Sequence, residues 1–129
     1  MKTTMRKAFF IITLLISACA SAQTADNIVA ALKSGSASQI ARYFQPSVEL
    51  SLQDGAHSYN KSQAQEVLAN FFSKHAFRSY NIVHQGTSPE GAKYVIGTLE
   101  TADKTYRVYM YAVTKENTLS IKELRFEEE

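Results

Sequence analysis

Apolar positions recur with two different periods along the chain, helical at first and strand-like later. From Thr24 to Lys33, Ile28, Val29 and Leu32 share one helical face, with Thr24 as a cap and Gly35 as a stop. A second helix is predicted from Ser36, whose spacing to Gln39 is that of a capping box. Its stripe is Ile40, Ala41 and Phe44, and Pro46 ends it. Val48, Leu50 and Leu52 then alternate with Glu49, Ser51 and Gln53 as a half-buried strand, and Asp54-Gly55 turns it back into an arm from Ala56 to Tyr59. Asn60 and Gln63 open a third helix with the stripe Ala64, Val67, Leu68, Phe71 and Phe72.

The remainder reads as strands over Phe77 to Gln85, Ala92 to Thr101, Lys104 to Thr114 and Thr118 to Phe126. Short turns at Ser88 to Gly91, Ala102-Asp103 and Glu116-Asn117 imply an antiparallel meander. The uneven spacing of Ile121, Leu124 and Phe126 predicts a bulge in the last strand near Glu123. Glu127, Glu128 and Glu129 are expected to form a solvated end that discourages edge pairing. In the strand from Lys104, one face carries Tyr106, Val108, Met110 and Ala112, the other Thr105, Arg107, Tyr109, Tyr111 and Val113. Neither face is polar, whereas a sheet with one wet face alternates cleanly. Helices are therefore expected on one face, and a dimer partner or the sheet's own curl around a cavity over part of the other.

The 129 residues suffice for one compact domain. Residues 1–22 read as a cleaved signal peptide: a basic start (MKTTMRK), an apolar run (AFFIITLLI) too short to span a bilayer, and a small-residue exit (ACASAQ). Two exits compete. Ala20-Ser21-Ala22 directs cleavage between Ala22 and Gln23, leaving a soluble domain over 23–129. Ile16-Ser17-Ala18-Cys19 resembles a bacterial lipobox, which would place a lipid on Cys19 and tether the chain to a membrane. The first is preferred, since a helix starting near Thr24 leaves a lipidated Cys19 only a short tether. An exported protein, periplasmic or secreted, is expected, with a lipid-anchored envelope form as the alternative. Loss of Lys2, Arg6 and Lys7 leaves eleven basic against twelve acidic side chains, so the mature charge is slightly negative. Cys19 is the single cysteine, so the mature domain has neither a disulfide nor thiol chemistry.

The order α-α-β-β-α followed by four meander strands resembles the nuclear transport factor two-like superfamily. The segments VAALKSGSASQIARYF, YNKSQAQEVLANFF, NIVHQGTSPEGAKYVIGTLET and TYRVYMYAV resemble the small secreted Bacteroidetes family called domain of unknown function 4783, from about Asp26 to Phe126. The resemblance implies an α+β, cystatin-like cone, with three helices packed on a strongly curved, mainly antiparallel sheet, and it implies export. It carries no activity and no catalytic residues. The wider superfamily includes ketosteroid isomerase, scytalone dehydratase and polyketide cyclases beside non-catalytic binding and dimerising domains, and its enzymes place ionisable groups inside the cone.

Proton-transfer chemistry there needs an interior carboxylate or histidine. Glu49, Glu100 and Glu123 are the acids in predicted strands, and none is placed as an interior base. His84, within NIVHQG, is the best-placed histidine, with Asp103 or Asp54 able to approach only if their turns fold inward. A hydrogen-bonded structural role for His84 is the simpler reading. His57, His75 and His84 lack zinc-ligand spacing, and there is no nucleophile elbow or phosphate-binding glycine loop, so no metal or cofactor is expected. The charge balance speaks against nucleic acid. Arg107, Tyr109 and Tyr111 are the most suggestive group, as a dimer face or as a cradle for an anionic ligand. Tyr43, Tyr80 and Tyr94 are expected in the core or at its rim. The reading that results is a non-catalytic ligand- or protein-binding module that dimerises through its sheet. The alternative is an isomerase, dehydratase or cyclase-type enzyme using a cone-interior His84.

Overall fold

The computed structural model describes residues 20–129, with side chains from Ala25 onward. Cys19 and the basic and apolar parts of the expected signal lie outside the described residues. The element order is α1 (Ala20–Ser34), α2 (Ala37–Ala41), β1 (Phe44–Leu52), β2 (Gly55–Asn60), α3 (Lys61–Lys74), β3 (Phe77–Thr87), β4 (Lys93–Thr101), β5 (Thr105–Lys115) and β6 (Thr118–Glu128). None of the described helices is long and apolar enough to cross a membrane. The first helix starts earlier than Thr24, so Ala22 and Gln23 lie within it.

The strands form one open sheet in the order β2-β1-β6-β5-β4-β3. The meander β3-β4-β5-β6 is antiparallel throughout, and β1 joins it by pairing parallel to β6. The fold class is thus α+β, with three helices on a mixed sheet. Strand pairing corrects two expectations. Phe44 does not extend the second helix. It begins β1 opposite Ile121, and the register shift between Phe44 and Glu49 accommodates Pro46, which has no N–H to give a ladder. The three terminal glutamates are exposed, as expected, but they are not an unpaired tail. Glu127 and Glu128 pair with Arg107 and Tyr106 in the middle of the sheet. Their carboxylates meet cations, Glu128 with Lys104 at 3.2 Å, Glu129 with Arg107 at 2.7 Å and Glu127 with Arg125 at 3.3 Å. Exposed pairs contribute only about 0–1 kcal/mol each, so the strand pairing holds this end and the charges follow it.

Local signals explain the rest. Ser36 caps α2 by accepting from the Gln39 amide, and Asn60 and Gln63 complete a reciprocal capping box at α3, an arrangement that stabilises a helix start by about 1 kcal/mol. Glu116 and Asn117 both take left-handed φ, +52° and +62°, the two-residue turn whose twist suits a tight hairpin. The expected bulge in β6 is present: Tyr111 faces Glu123 but Ala112 faces Ile121, leaving Lys122 as the extra residue.

The core lies between the helices and the inner sheet face. Ile28, Leu32, Ile40, Leu68 and Phe71 meet Val95, Leu99, Tyr106, Met110, Ile121 and Leu124. Between Leu32, Phe72, Tyr80, Leu99, Val108 and Phe126 the remaining space is about 10 Å³, too little for more than a single water. Tyr80 crosses over Gly97 to donate to the Val108 carbonyl at 3.3 Å, and burial pushes its phenol well above the ordinary value. A methyl at Gly97 would run into the Tyr80 ring and lie 2.7 Å from the Asn81 carbonyl oxygen. Gly97→Ala is therefore expected to lower the urea midpoint, with a loss of about 1–3 kcal/mol, the usual cost of overpacking.

Candidate functional site

The outer sheet face is built by register. Ile96 lies opposite Tyr109 and Tyr94 opposite Tyr111 across β4 and β5. Tyr109 lies opposite Arg125 and Tyr111 opposite Glu123 across β5 and β6. These six side chains line a shallow groove of about 230 Å³. The Arg125 guanidinium sits 4.3 Å above the Tyr109 ring, an arrangement that favours both partners. Its Nε is buried without a hydrogen-bond partner, the Glu127 oxygen at 3.3 Å being outside bonding geometry.

Of the sequence-predicted trio, Tyr109 and Tyr111 are in this groove and Arg107 is not. Arg107 donates from Nε and Nη2 to one oxygen of Glu129, at 2.8 and 2.7 Å. Arg125 stands in its place. Sequence reading missed it because the bulge at Lys122 shifts which residue of β6 faces Tyr109.

His84 is not in the interior. It pairs with Ile96 across β3 and β4, whose side chain is on the outer face, and it is exposed, with Nε2 3.3 Å from the Tyr94 hydroxyl. The register shift between Ile82 and His84, with Val83 as the extra residue, breaks the alternation on which an inward His84 depended. Glu49 and Glu100 are exposed as well, and Glu123 belongs to the tyrosine groove. Tyr80 is core, Tyr43 is half-buried, and Tyr94 lies on the outer face over Gly86.

The histidine that does find an aspartate is His75. It caps α3, its amide bonded to the Phe71 carbonyl at 2.9 Å. Its Nδ1 donates to Asp103 in the β4–β5 turn, at 2.8 and 3.1 Å to the two oxygens. Thr101 also donates to Asp103, at 3.0 Å. The imidazole is wedged between Phe71 and Tyr106, at centroid distances of 5.0 and 5.8 Å, and only 13 % of its side chain is exposed. Burial raises the Asp103 carboxyl, but the hydrogen bonds from His75 and Thr101 and the His75 charge outweigh it and hold the group below its ordinary value. Beside this pair a groove of about 420 Å³ opens between α3 and the β1–β2 hairpin. The Tyr106 hydroxyl, raised by burial, accepts from Gln53 of that hairpin at 3.3 Å. The sequence signal for this pair was present but indirect: Phe77 pairs with Thr101, so the residue ahead of β3 must approach the turn after β4. Among the described residues, no three His, Cys, Asp or Glu side chains converge as a metal site.

An α+β domain with three helices on an open six-stranded mixed sheet, in this order, has the nuclear transport factor two-like, or cystatin-like, fold. One structure that shares it is a nuclear transport factor two-like protein of unknown function from Cytophaga hutchinsonii, with a TM-score of 0.59, 10 % identity and coverage of 84 % of this chain and 89 % of the other. Residues 25–127 match the family described as domain of unknown function DUF4783, and the chain belongs to that family. A crystal structure of a family member from Bacteroides uniformis is similar over 81 % of this chain and 95 % of its own, with 30 % identity and a TM-score of 0.75. Another, from Bacteroides fragilis, gives 28 % identity, a TM-score of 0.74 and coverage of 80 % and 96 %. No curated protein matches the chain.

Asp103 makes stability depend on pH. Its folded value is depressed, so its contribution is present above the ordinary value of 3.8 and is lost as pH falls through the lower folded value. Melting temperatures of the wild type and Asp103→Asn should differ near neutral pH and converge once the pH falls below the depressed folded value. A gap that stays constant with pH would deny the pair any electrostatic role.

Proposed function

We propose that the protein is an exported, non-enzymatic binding module that works as a homodimer joined through the outer face of its sheet. The observation that carries this reading is the half-buried run of Tyr94, Ile96, Tyr109 and Tyr111, on a face over which no described helix packs. Val83, at the nearby bulge in β3, is 58 % exposed and extends the apolar surface. Tyrosine and arginine are enriched in protein interfaces, where a ring supplies area at low entropic cost. The face is also self-complementary. Arg125 and Glu123 lie two residues apart on one strand, so a two-fold axis passing between them would set each arginine against the partner copy's glutamate. A sheet that curls around its helices, as the cone fold does, presents this face outward. The filled interior and the outward His84 favour this reading over the isomerase-type alternative.

Light scattering after size exclusion should give twice the chain mass. Tyr109→Ala should weaken the dimer by about 30-fold, the roughly 2 kcal/mol of an interface anchor. A monomeric wild type, or a dimer indifferent to Tyr109→Lys together with Tyr111→Lys, would remove the sheet interface.

Export rests on the sequence of residues 1–22. The intact mass of the protein recovered from the producing cells should correspond to a chain beginning at Gln23. Incorporation of labelled fatty acid that disappears in Cys19→Ala would instead assign the membrane-tethered form.

A further inference from the structure

We propose that the groove between α3 and the β1–β2 hairpin binds a small carboxylic acid with an apolar body, whose carboxylate is held between Lys74 and His75. This site lies apart from the tyrosine face and does not depend on dimerisation.

The groove's size is that of a small-molecule site. Its walls are apolar where Leu52, Tyr59, Val67 and Phe71 face each other, and its charged end is formed by Lys74 and His75. Lys74 makes no ion pair among the described residues. On His75 the two ring nitrogens are distinguished by their surroundings. Nδ1 is committed to Asp103, which fixes the ring and compensates an imidazolium. Nε2 makes no hydrogen bond to any described residue, and the ring that carries it lines the groove.

The sign of the ligand follows from which acids remain free. Asp103 is already bonded by His75 and Thr101. Asp54, the acid on the groove wall, is 76 % exposed and lies 3.8 Å from His57. Lys104, in the same turn as Asp103, is held by Glu128 at 3.2 Å, which raises its pKa. The lining thus sets Lys74 and His75 against a single well-solvated carboxylate, Asp54. The last carbonyls of α3 also favour positive charge at Lys74 and His75 and ease the placing of two cations side by side. An amine would meet the like charge of Lys74 there. A neutral ligand would leave Lys74 and His75 unsatisfied.

Histidine and backbone resonances can be followed by NMR while three probes are titrated: phenylacetate, its neutral isostere phenylacetamide, and the cation phenethylamine. Phenylacetate is expected to shift the His75 ring and the Asn70 and Lys74 amides. It should bind about 10-fold more tightly than phenylacetamide near pH 6, as one charge-assisted contact implies. Lys74→Gln, an exposed position whose change spares the core, should cut phenylacetate affinity by about 5-fold and leave phenylacetamide unchanged. His75→Gln should do the same. Equal or tighter binding of either other probe would overturn the proposal. So would the absence of a saturable shift in the groove, shifts confined to the tyrosine face, or a Lys74→Gln protein that binds phenylacetate like wild type. A protein that proves monomeric leaves these outcomes readable, because the reporting residues are on α3.

Discussion

The contact on which both the fold and its chemistry depend is the Phe71 ring. It meets Tyr106 of β5 edge-on at 5.2 Å and Phe126 of β6 at 4.9 Å, with Phe72 of its own helix at 5.7 Å. Aromatic pairs of this kind contribute about 0.5–1.5 kcal/mol each beyond burial, more than the exposed ion pairs around the sheet's edge, at roughly 0–1 kcal/mol, can supply. The ring fixes how α3 lies on the sheet, and the position four residues on must then fall beside Tyr106. That position is His75. The aromatic cluster packs the space under α3, and the polar side chains His75, Asp103 and Gln53 gather at its rim.

The outer face depends on a different constraint, the single extra residue in β6. Without Lys122 the strand would keep one register from Thr118 to Glu128. With it, Glu123 faces Tyr111 and Arg125 faces Tyr109. A bulge is thus what selects the arginine that covers a tyrosine and leaves the other, Arg107, to the chain's acidic end. The bulge at Val83 acts in the same way on β3, turning His84 toward Tyr94.

Much of the fold was legible because its signals are local. The Asn60 capping box, the stripe on α3, the Glu116-Asn117 turn and the alternation in β5 each depend on residues a few positions apart, and each is present as read. The bulge in β6 was legible too, since three apolar residues could not share one face otherwise. What failed depended on partners distant in sequence. Phe44 fits a helical stripe, but Ile121 across the sheet claims it for β1. The acidic end looked unpaired because nothing local shows that β6 runs on beside β5 as far as Glu128. The candidate chemistry suffered most. Arg107 and Arg125 differ only by what they face, and His75 gains its aspartate through a turn 28 residues away.

The parallel pairing of β1 with β6 has a kinetic consequence. Residues 44–51 must wait for residues 121–125, so the link between the amino-terminal hairpin and the meander closes across about two thirds of the described chain. Contacts of such separation are slow to form, because loop-closure entropy must be overcome before they gain anything. A chain emerging in sequence order holds its first two helices and its hairpin without their sheet until the last strand arrives. Until β6 forms, the apolar faces of that early segment have no sheet to bury against.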